Sequence, residues 1–299
     1  NLAKKTPMHV GDRFRIGSVT KSFVATVVLQ LAGERKLSLD DSIERWLPGV
    51  VPNSDGITIR HLLGHRSGLF DYLADEKGLQ PYLSGNFGYV WTPQQLIAVA
   101  TSHAPLFEPG AKFSYSNTNY IVLGLIVEAA SGKSVSTELR RRIFKPLGLR
   151  STFLATSQRI PGAHAHGYLV SGNDPLKDVT LVSPSYVWTA GGIVSTASDV
   201  ADFYRALLRG RLLKPALLKE METVSDGYGL GLSKTRLPCG DIFGHNGALA
   251  SYLTYAFNSK DGKRQFVVLA NSLTFDDQVG SKRAQRVFQR LLQAAACGV

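Results

Sequence analysis

From Thr20 to about Leu31 the chain reads as a helix with no polar face, with Phe23, Val24, Val27, Val28 and Leu31 placed around it at helical spacing. A helix that is apolar all round has to be enclosed by other elements, so it predicts a body thick enough to bury it. Asn119 to Ala130 predicts a second buried helix, closed by Ser131-Gly132. No stretch approaches the roughly 20 apolar residues that a membrane-crossing helix needs. No charged-then-apolar leader begins at Asn1, so any targeting segment is expected outside this chain.

Around those two helices the pattern changes along the chain. Thr92-Pro93-Gln94-Gln95 is a helix start, with a cap, a proline at the first helical position and a glutamine three residues beyond the cap. Ser198 to Leu208 predicts another helix, stopped at Gly210. Ile242–Gly244, Tyr252–Phe257 and Gln265–Ala270 predict strands, and Asp261-Gly262 predicts a hairpin between the last two. A final helix over Asp277–Ala294 would present Val287, Leu291 and Ala295 on one face. Neither a repeat nor a linker divides the chain. The expectation is one α+β domain over residues 1–299, an antiparallel sheet flanked by helices, with a helical insert over roughly 40–190. A cleft between two such parts is a usual place for a site.

The charge balance is basic, 34 Lys+Arg against 23 Asp+Glu for a net +11, which suits anionic surroundings such as cell-wall polymers. Nucleic acid is not expected: there is no zinc-finger spacing, RNP-type aromatic pattern or long basic tail. The local basic runs, Arg140-Arg141-Arg142 and Lys282-Arg283, fall on helical segments. Two cysteines, Cys239 and Cys297, lack CxxC spacing; they are either buried thiols or one disulfide. His164 and His166 have no carboxylate or third histidine near them in sequence and are read as loop residues rather than metal ligands. His61 and His65, flanking Leu62-Leu63-Gly64, are read as structural.

Ser18-Val19-Thr20-Lys21 stands where the chain enters the first apolar helix. Residues three apart share a helix face, so Lys21 can reach the Ser18 hydroxyl. A serine is a poor nucleophile until a neighbouring base takes its proton, and a lysine does so only when desolvation or nearby positive charge lowers its pKa. Free N–H groups at the helix start can stabilise an oxyanion. Tyr115-Ser116-Asn117 falls in a loop before the second buried helix. There Tyr115, as phenolate or proton shuttle, can do acid/base work, and Asn117 offers a donor and an acceptor to an amide. His245-Asn246-Gly247 follows a short strand, with Gly247 permitting close approach of a substrate along a strand edge. Taken singly, each has an ordinary explanation: a helix cap, a packing aromatic, an edge histidine.

SxxK, then YxN, then HxG is another matter. In these motifs the chain resembles the class C β-lactamase and serine DD-peptidase family, whose penicillin-binding members carry SxxK with two further elements. Its exported D-alanyl-D-alanine carboxypeptidase/transpeptidase branch of actinomycete type is the most similar. The likeness runs almost end to end, through residues 15–23, 37–41, 65–69, 115–120, 228–232 and 259–264. It implies the β-lactamase/transpeptidase-like fold, with an all-helical subdomain beside the sheet. It further implies that Ser18 forms the acyl-enzyme and Lys21 takes its proton. Tyr115 would be the acid/base, Asn117 would hold the substrate amide, and His245 would support Tyr115 and the leaving group. The N–H groups of Ser18 and Ala248 would form the oxyanion hole, with Asn246 and Gly247 beside the substrate and Trp188 as the apolar wall of the cleft or a packing residue. Cys239 and Cys297 match positions disulfide-bonded in that branch, implying a secreted protein. No cofactor or metal is expected. A monomer acting on peptidoglycan-type D-peptides or other D-amino acid substrates is implied, with β-lactams as inhibitors or substrates.

Three positions depart from that branch. Asn246 stands for a threonine, Ala248 for a second hydroxyl residue, and Ser233 for an arginine. Those groups hold the substrate's free carboxylate, so charge-assisted hydrogen bonds are lost, with Arg236 or Lys234 as the candidates to replace them. The activity the resemblance implies is D-alanyl-D-alanine carboxypeptidase/transpeptidase, while these three departures favour a D-amino acid amide, D-peptide N-terminus or ester as substrate. The alternatives are a D-stereospecific amidase, aminopeptidase or esterase, a β-lactamase, or a non-catalytic penicillin-sensing or wall-binding module. The family also carries a helix and strands before the SxxK helix, and only 17 residues precede Ser18 here, so an upstream segment is expected.

Overall fold

A computed structural model describes residues 1–170, 176–274 and 282–297. The first apolar helix, α1 (Thr20–Gly33), is buried along almost its whole length. It contacts the second, α6 (Asn117–Ser131), and its Phe23 ring stacks at 3.6 Å on Phe203. Between them come α2 (Ile43–Trp46), α3 (Ile59–Leu63), α4 (Gln80–Leu83) and α5 (Pro93–Thr101); α7 (Val135–Leu139) and α8 (Lys145–Leu147) follow. Among the described residues every regular element from Ile43 to Leu147 is helical. The start signal at Thr92 works as expected: Thr92 Oγ1 accepts from Gln95 N–H, and Gln95 Oε1 accepts from Thr92 N–H at 2.8 Å.

The strands are β1 (Phe14–Arg15), β2 (Phe153–Leu154), β3 (Tyr168–Val170), β4 (Lys177–Asp178), β5 (Ile193–Ser195), β6 (Ser233–Leu237), β7 (Gly240–Leu249), β8 (Tyr252–Ser259), β9 (Gln265–Ala270) and β10 (Ser272–Thr274). Three of them, β2, β3 and β4, break up the later part of the 40–190 stretch. The largest sheet is an antiparallel meander, β6-β7-β8-β9, beside two small sheets ordered β1-β5-β2 and β10-β3-β4. Between the last hairpin's strands Gly262 takes φ +61° at the turn, as Asp261-Gly262 predicts. Helix α10 (Ala197–Leu208) lies on β8 and β9. The remaining helices are α9 (Trp188–Gly191), α11 (Pro215–Glu222) and α12 (Lys282–Cys297).

Three expectations change. Helix α6 begins at Asn117, so Asn117 is its first residue rather than part of a loop. Strand β7 runs on to Leu249, because residues 245–249 keep their pairing to β8 despite a glycine and an asparagine. On α12 Leu291 and Ala295 are exposed, and Leu292 is buried against Leu237, Ile242 and Phe257. The Cys239–Cys297 disulfide pins the end of the helix and selects the 292/296 stripe over the neighbouring one. Residues 277–281 of that predicted helix, and the Val287 side chain, lie outside the description. Arg142 is spent internally, pairing with Glu34 at 2.8 Å and with Glu138.

Candidate active site

The 3-10 turn Gly17–Val19, which leads into α1, lies against the second half of β7. Ser233 pairs with Gly244 where β6 begins, so residues 245–249 pair with β8 on one side and present their other edge to the Ile16–Ser18 backbone. Two glycines permit this approach. A Cβ on Gly17, which has φ +53°, would meet Ala248 N at 2.7 Å. A Cβ on Gly247 would meet Ile16 O at 2.1 Å and Ser18 N at 2.9 Å. The backbone of Ala248 thereby lies against Gly17 and that of Ser18 against Gly247, beside the half-buried Ser18 side chain.

Lys21 is fully buried, and its Nζ lies 3.1 Å from Ser18 Oγ, 2.7 Å from Asn117 Oδ1 and 2.7 Å from Ala190 O on α9. Desolvation lowers its pKa to about 7, against an opposing pull from the Asp71 carboxylate. Two carbonyl oxygens occupy two of the amine hydrogens. When the ammonium loses its third proton, the lone pair faces the Ser18 hydroxyl, which is the arrangement a general base needs. Burial raises the phenol of Tyr115, partly offset by a hydrogen bond with Ser18, so the resting phenol keeps its proton and the phenolate reading is set aside. Lys21 Nζ sits 4.9 Å from the Tyr115 ring centroid.

His245 is buried, and desolvation followed by the charge of Lys21 lowers its pKa to about 3, so it is neutral at any ordinary pH. Its Nδ1 bonds Asn246 O and its Nε2 lies 2.9 Å from Tyr228 Oη, which fixes the tautomer with the proton on Nδ1. It meets Tyr115 by ring contact at 6.3 Å, with Tyr228 packed edge-on to both. Asn117 is more committed than its expected role suggests. Its Oδ1 accepts from Lys21, and its Nδ2 donates to Asp71 at 3.0 Å. Trp188 is half-buried against Gly124 of α6 and opens the short helix that supplies Ala190 O, so packing accounts for part of its role. Asn246 and Ala248 are exposed on β7, on either side of buried Gly247.

Sequence reasoning left three participants out. Asp71 holds Asn117. Tyr228 holds His245. His65, read as merely structural, is fully buried with its ring 4.1 Å from that of Tyr115, and its Nδ1 accepts from Ser116 N–H at 3.1 Å. Burial, then Lys21 and His245, push its pKa well down, so it is a neutral wall to the phenol. The stretch 65–69 was visible as a likeness, but no spacing tied it to Tyr115. His61 closes the capping box of α3. His166 pairs with Asp178 at 2.8 Å, a carboxylate 12 residues away in sequence.

Lys234 and Arg236, the candidates to replace the carboxylate anchor, both face Asp241. Lys234 Nζ lies 2.6 Å from Asp241 Oδ2, and the largely exposed Arg236 faces the same carboxylate at 3.7 Å. Arg236 pairs with Asp241 near the β6–β7 turn, whereas Lys234 pairs with Phe243, two residues from His245.

The beta-lactamase family model matches residues 1–289. Penicillin-binding protein 4* of Bacillus subtilis is 28% identical over 292 residues, covering 90% of this chain and 63% of its own length. A D-aminopeptidase of Brucella anthropi is 29% identical over 287 residues, covering 91% of this chain and 52% of its own. The chain thus spans between about half and two thirds of the curated relatives it matches. Of solved structures, a D-stereospecific amidohydrolase from Streptomyces sp. is 37% identical with a TM-score of 0.87, over 97% of this chain and 88% of that one. The D-amino acid amidase of Ochrobactrum anthropi SV3 in complex with D-phenylalanine is 29% identical with a TM-score of 0.85, over 100% and 88%. With a family model matched over nearly the whole chain, the chain belongs to the beta-lactamase family.

Proposed function

We propose that the protein hydrolyses the amide bond of D-amino acid derivatives with no free carboxylate on the leaving residue, such as D-amino acid amides or longer peptides with an N-terminal D-residue. One observation carries this over carboxypeptidase action. The positions expected to hold a free carboxylate bear Ser233, Asn246 and Ala248, and the nearest cations on that hairpin are tied to Asp241. A site without a cation for the terminal carboxylate forgoes about 1.5–3 kcal/mol of charge-assisted hydrogen bonding to a D-Ala-D-Ala peptide. An uncharged amide loses nothing by that absence. The amidase and aminopeptidase names among the relatives support the same reading.

In this mechanism neutral Lys21 takes the Ser18 proton as Oγ attacks the substrate carbonyl. The oxyanion is held by the N–H groups of Ser18 and Ala248. Tyr115 gives its proton to the departing amine and is reprotonated from the Lys21 ammonium. Water then attacks the ester, losing its proton to the same Lys21–Tyr115 pair, and Ser18 leaves as the free hydroxyl. Asn117 and Trp188 border the substrate, with Asn246, Gly247 and Ala248 along the β7 edge. β-Lactams acylate the same serine. The Cys239–Cys297 bond supports an exported, oxidising setting.

The test offers D- and L-phenylalaninamide and a D-Ala-D-Ala peptide with a free carboxylate to the protein and to Ser18→Ala. Ammonia release from the D-amide alone, lost in Ser18→Ala, is the expected result. Cleavage confined to the free-carboxylate peptide would return the reading to a carboxypeptidase. Turnover of neither, with no adduct from benzylpenicillin by intact mass, would remove the enzymatic reading.

A further inference from the structure

Lys21 has two partners besides its serine, and one of them, the Asn117 side chain, has two faces that differ chemically. An asparagine amide presents an acceptor on one side and donors on the other, so which side meets the lysine decides whether the contact attracts or repels. Here the orientation is settled from behind. The half-buried carboxylate of Asp71 receives Asn117 Nδ2 at 3.0 Å on Oδ2 and Asn117 N–H at 3.2 Å on Oδ1, and Oδ1 also receives Leu73 N–H at 3.2 Å. All of these partners are donors, the surroundings of a carboxylate rather than of a protonated acid. With Nδ2 held on Asp71, only Oδ1 is left to face Lys21, 2.7 Å away.

We propose that Asp71 is the positioning residue of this site: it locks the Asn117 amide with its oxygen toward Lys21 and, as a carboxylate one side chain away, sets the pH at which Lys21 becomes a base. The inference rests on the reading of Lys21 as the base for Ser18. The other ionisable groups around Lys21 are Tyr115 and Tyr120, whose rings lie 4.9 Å and 5.4 Å from Nζ, and His65, His245 and Tyr228 beyond them. Tyr204 stands on α10 against the neighbouring Ser22. Burial keeps the phenols protonated and both imidazoles neutral. Among these groups Asp71 therefore carries the charge that Lys21 feels, and its carboxylate opposes the effect of desolvation.

The consequence has a definite sign. A nearby carboxylate favours the ammonium, so removing it lowers the Lys21 pKa further and makes the neutral amine available at lower pH. In Asp71→Asn the oxygen can keep the Leu73 and Asn117 N–H groups, which places the new NH2 against Asn117 Nδ2. The Asn117 amide must turn, and its donors then face Lys21. The acid limb of Ser18 acylation should move down by about one pH unit, while the plateau rate falls roughly 10- to 100-fold through lost positioning. Asp71→Ser keeps a side-chain acceptor for Leu73 N–H without the charge and serves as the second variant if Asp71→Asn folds poorly.

The experiment titrates the 13C-labelled lysine Cε signal that Lys21→Arg removes, in the parent and both variants, alongside the pH dependence of acylation. A downward move of the Lys21 titration in either variant is the expected result. A limb and a titration left in place while the plateau falls would overturn the inference and reduce Asp71 to a packing role. The titration also separates the two readings. If the protein turns over no substrate and takes no β-lactam yet the titration moves, the function fails and the role of Asp71 stands. If turnover is normal in kind and the titration is fixed, the reverse holds.

Discussion

Gly247→Ala is the sharpest test of how this site is built, because the damage is worked from one contact. The added Cβ would lie 2.1 Å from Ile16 O, 2.9 Å from Ser18 N and 3.1 Å from Ile16 C. Ordinary contacts of this kind sit near 3.5 Å, so β7 and the Ile16–Ser18 segment have to part by about 1 Å or more. All the atoms in the way are backbone, and no rotamer change relieves them. The Ser18 and Ala248 amides then no longer converge on one oxygen. Misplacement by about 1 Å costs on the order of 100-fold, and loss of one oxyanion donor about 100- to 1,000-fold, so acylation should slow by that range. The fold should survive with a cost of about 1–3 kcal/mol, since β7 keeps its pairing to β8 from Ile242 to Leu249. The assay follows acyl-enzyme formation by intact mass and thermal stability together. Gly11→Ala is the control, since a Cβ there meets nothing within 4 Å. An acylation rate within about threefold of the parent, a change of well under 1 kcal/mol, would refute the placement of the oxyanion hole between Ser18 and Ala248.

Hydrolysis should rise with pH through about 7 as Lys21 loses its proton, then stay level into the alkaline range because the Tyr115 phenol is held protonated. A kcat/KM profile that falls just above neutrality would contradict those assignments. Lys21→Met should abolish acylation yet make the folded protein more stable at pH 7. The descent of the Lys21 pKa from 10.5 to about 7 sets a ceiling of roughly 5 kcal/mol, reduced by the Asn117 and Ala190 oxygens left without a donor. The native state releases that proton before the unfolded chain does, so the parent gains stability between about pH 7 and 10.5. The gap to Lys21→Met should accordingly narrow on going from pH 7 to 9, as read by denaturant titration. Reducing the Cys239–Cys297 bond, which closes a span of 58 residues, should cost up to about 4 kcal/mol; an unchanged melting temperature in Cys239→Ser would disprove it. Restoring Ser233→Arg, Asn246→Thr and Ala248→Ser together should improve KM for a free-carboxylate D-peptide by about 10- to 100-fold and leave the D-amide no better. Equal gains on both substrates would argue against the carboxylate explanation.

The parts of the fold legible in the sequence are those written locally. The apolar runs of α1 and α6, the Thr92–Gln95 box and the Asp261-Gly262 turn each act over a few residues, and each stands where expected. What failed depended on distant partners. The second half of β7 contains Gly247, a residue that weakens a strand, and is held by β8 and by the backbone of Ile16. The buried face of α12 is chosen by a disulfide to a residue 58 positions earlier. The site divides the same way. Ser18, Lys21, Tyr115, Asn117 and His245 carry motif spacing and come together. Ala190 contributes only a carbonyl, which no side-chain pattern marks, and Asp71, His65 and Tyr228 are single residues recognisable only through what they touch.

The helix that constrains the fold and the base that defines the chemistry are one feature. On a solvated surface an SxxK lysine keeps its ordinary pKa of 10.5 and cannot accept the serine proton at neutral pH. In the proposed mechanism Lys21 becomes a base because α1 is enclosed on every side, so the apolar residues Phe23, Val24, Val27 and Val28 create the dry surroundings in which the lysine releases its proton. That dryness sets a condition on everything near it. A second cation would lower the pKa of Lys21 further, and a solvated anion would restore the ammonium. His65 and His245 meet the condition by staying neutral, and Tyr115, Tyr120 and Tyr228 by staying protonated. Asp71 is admitted only behind Asn117, where its charge reaches the lysine through a neutral amide. A cation placed at Ser233 to hold a carboxylate would join this balance as well, so the absence of an arginine there bears on the base as well as on the substrate.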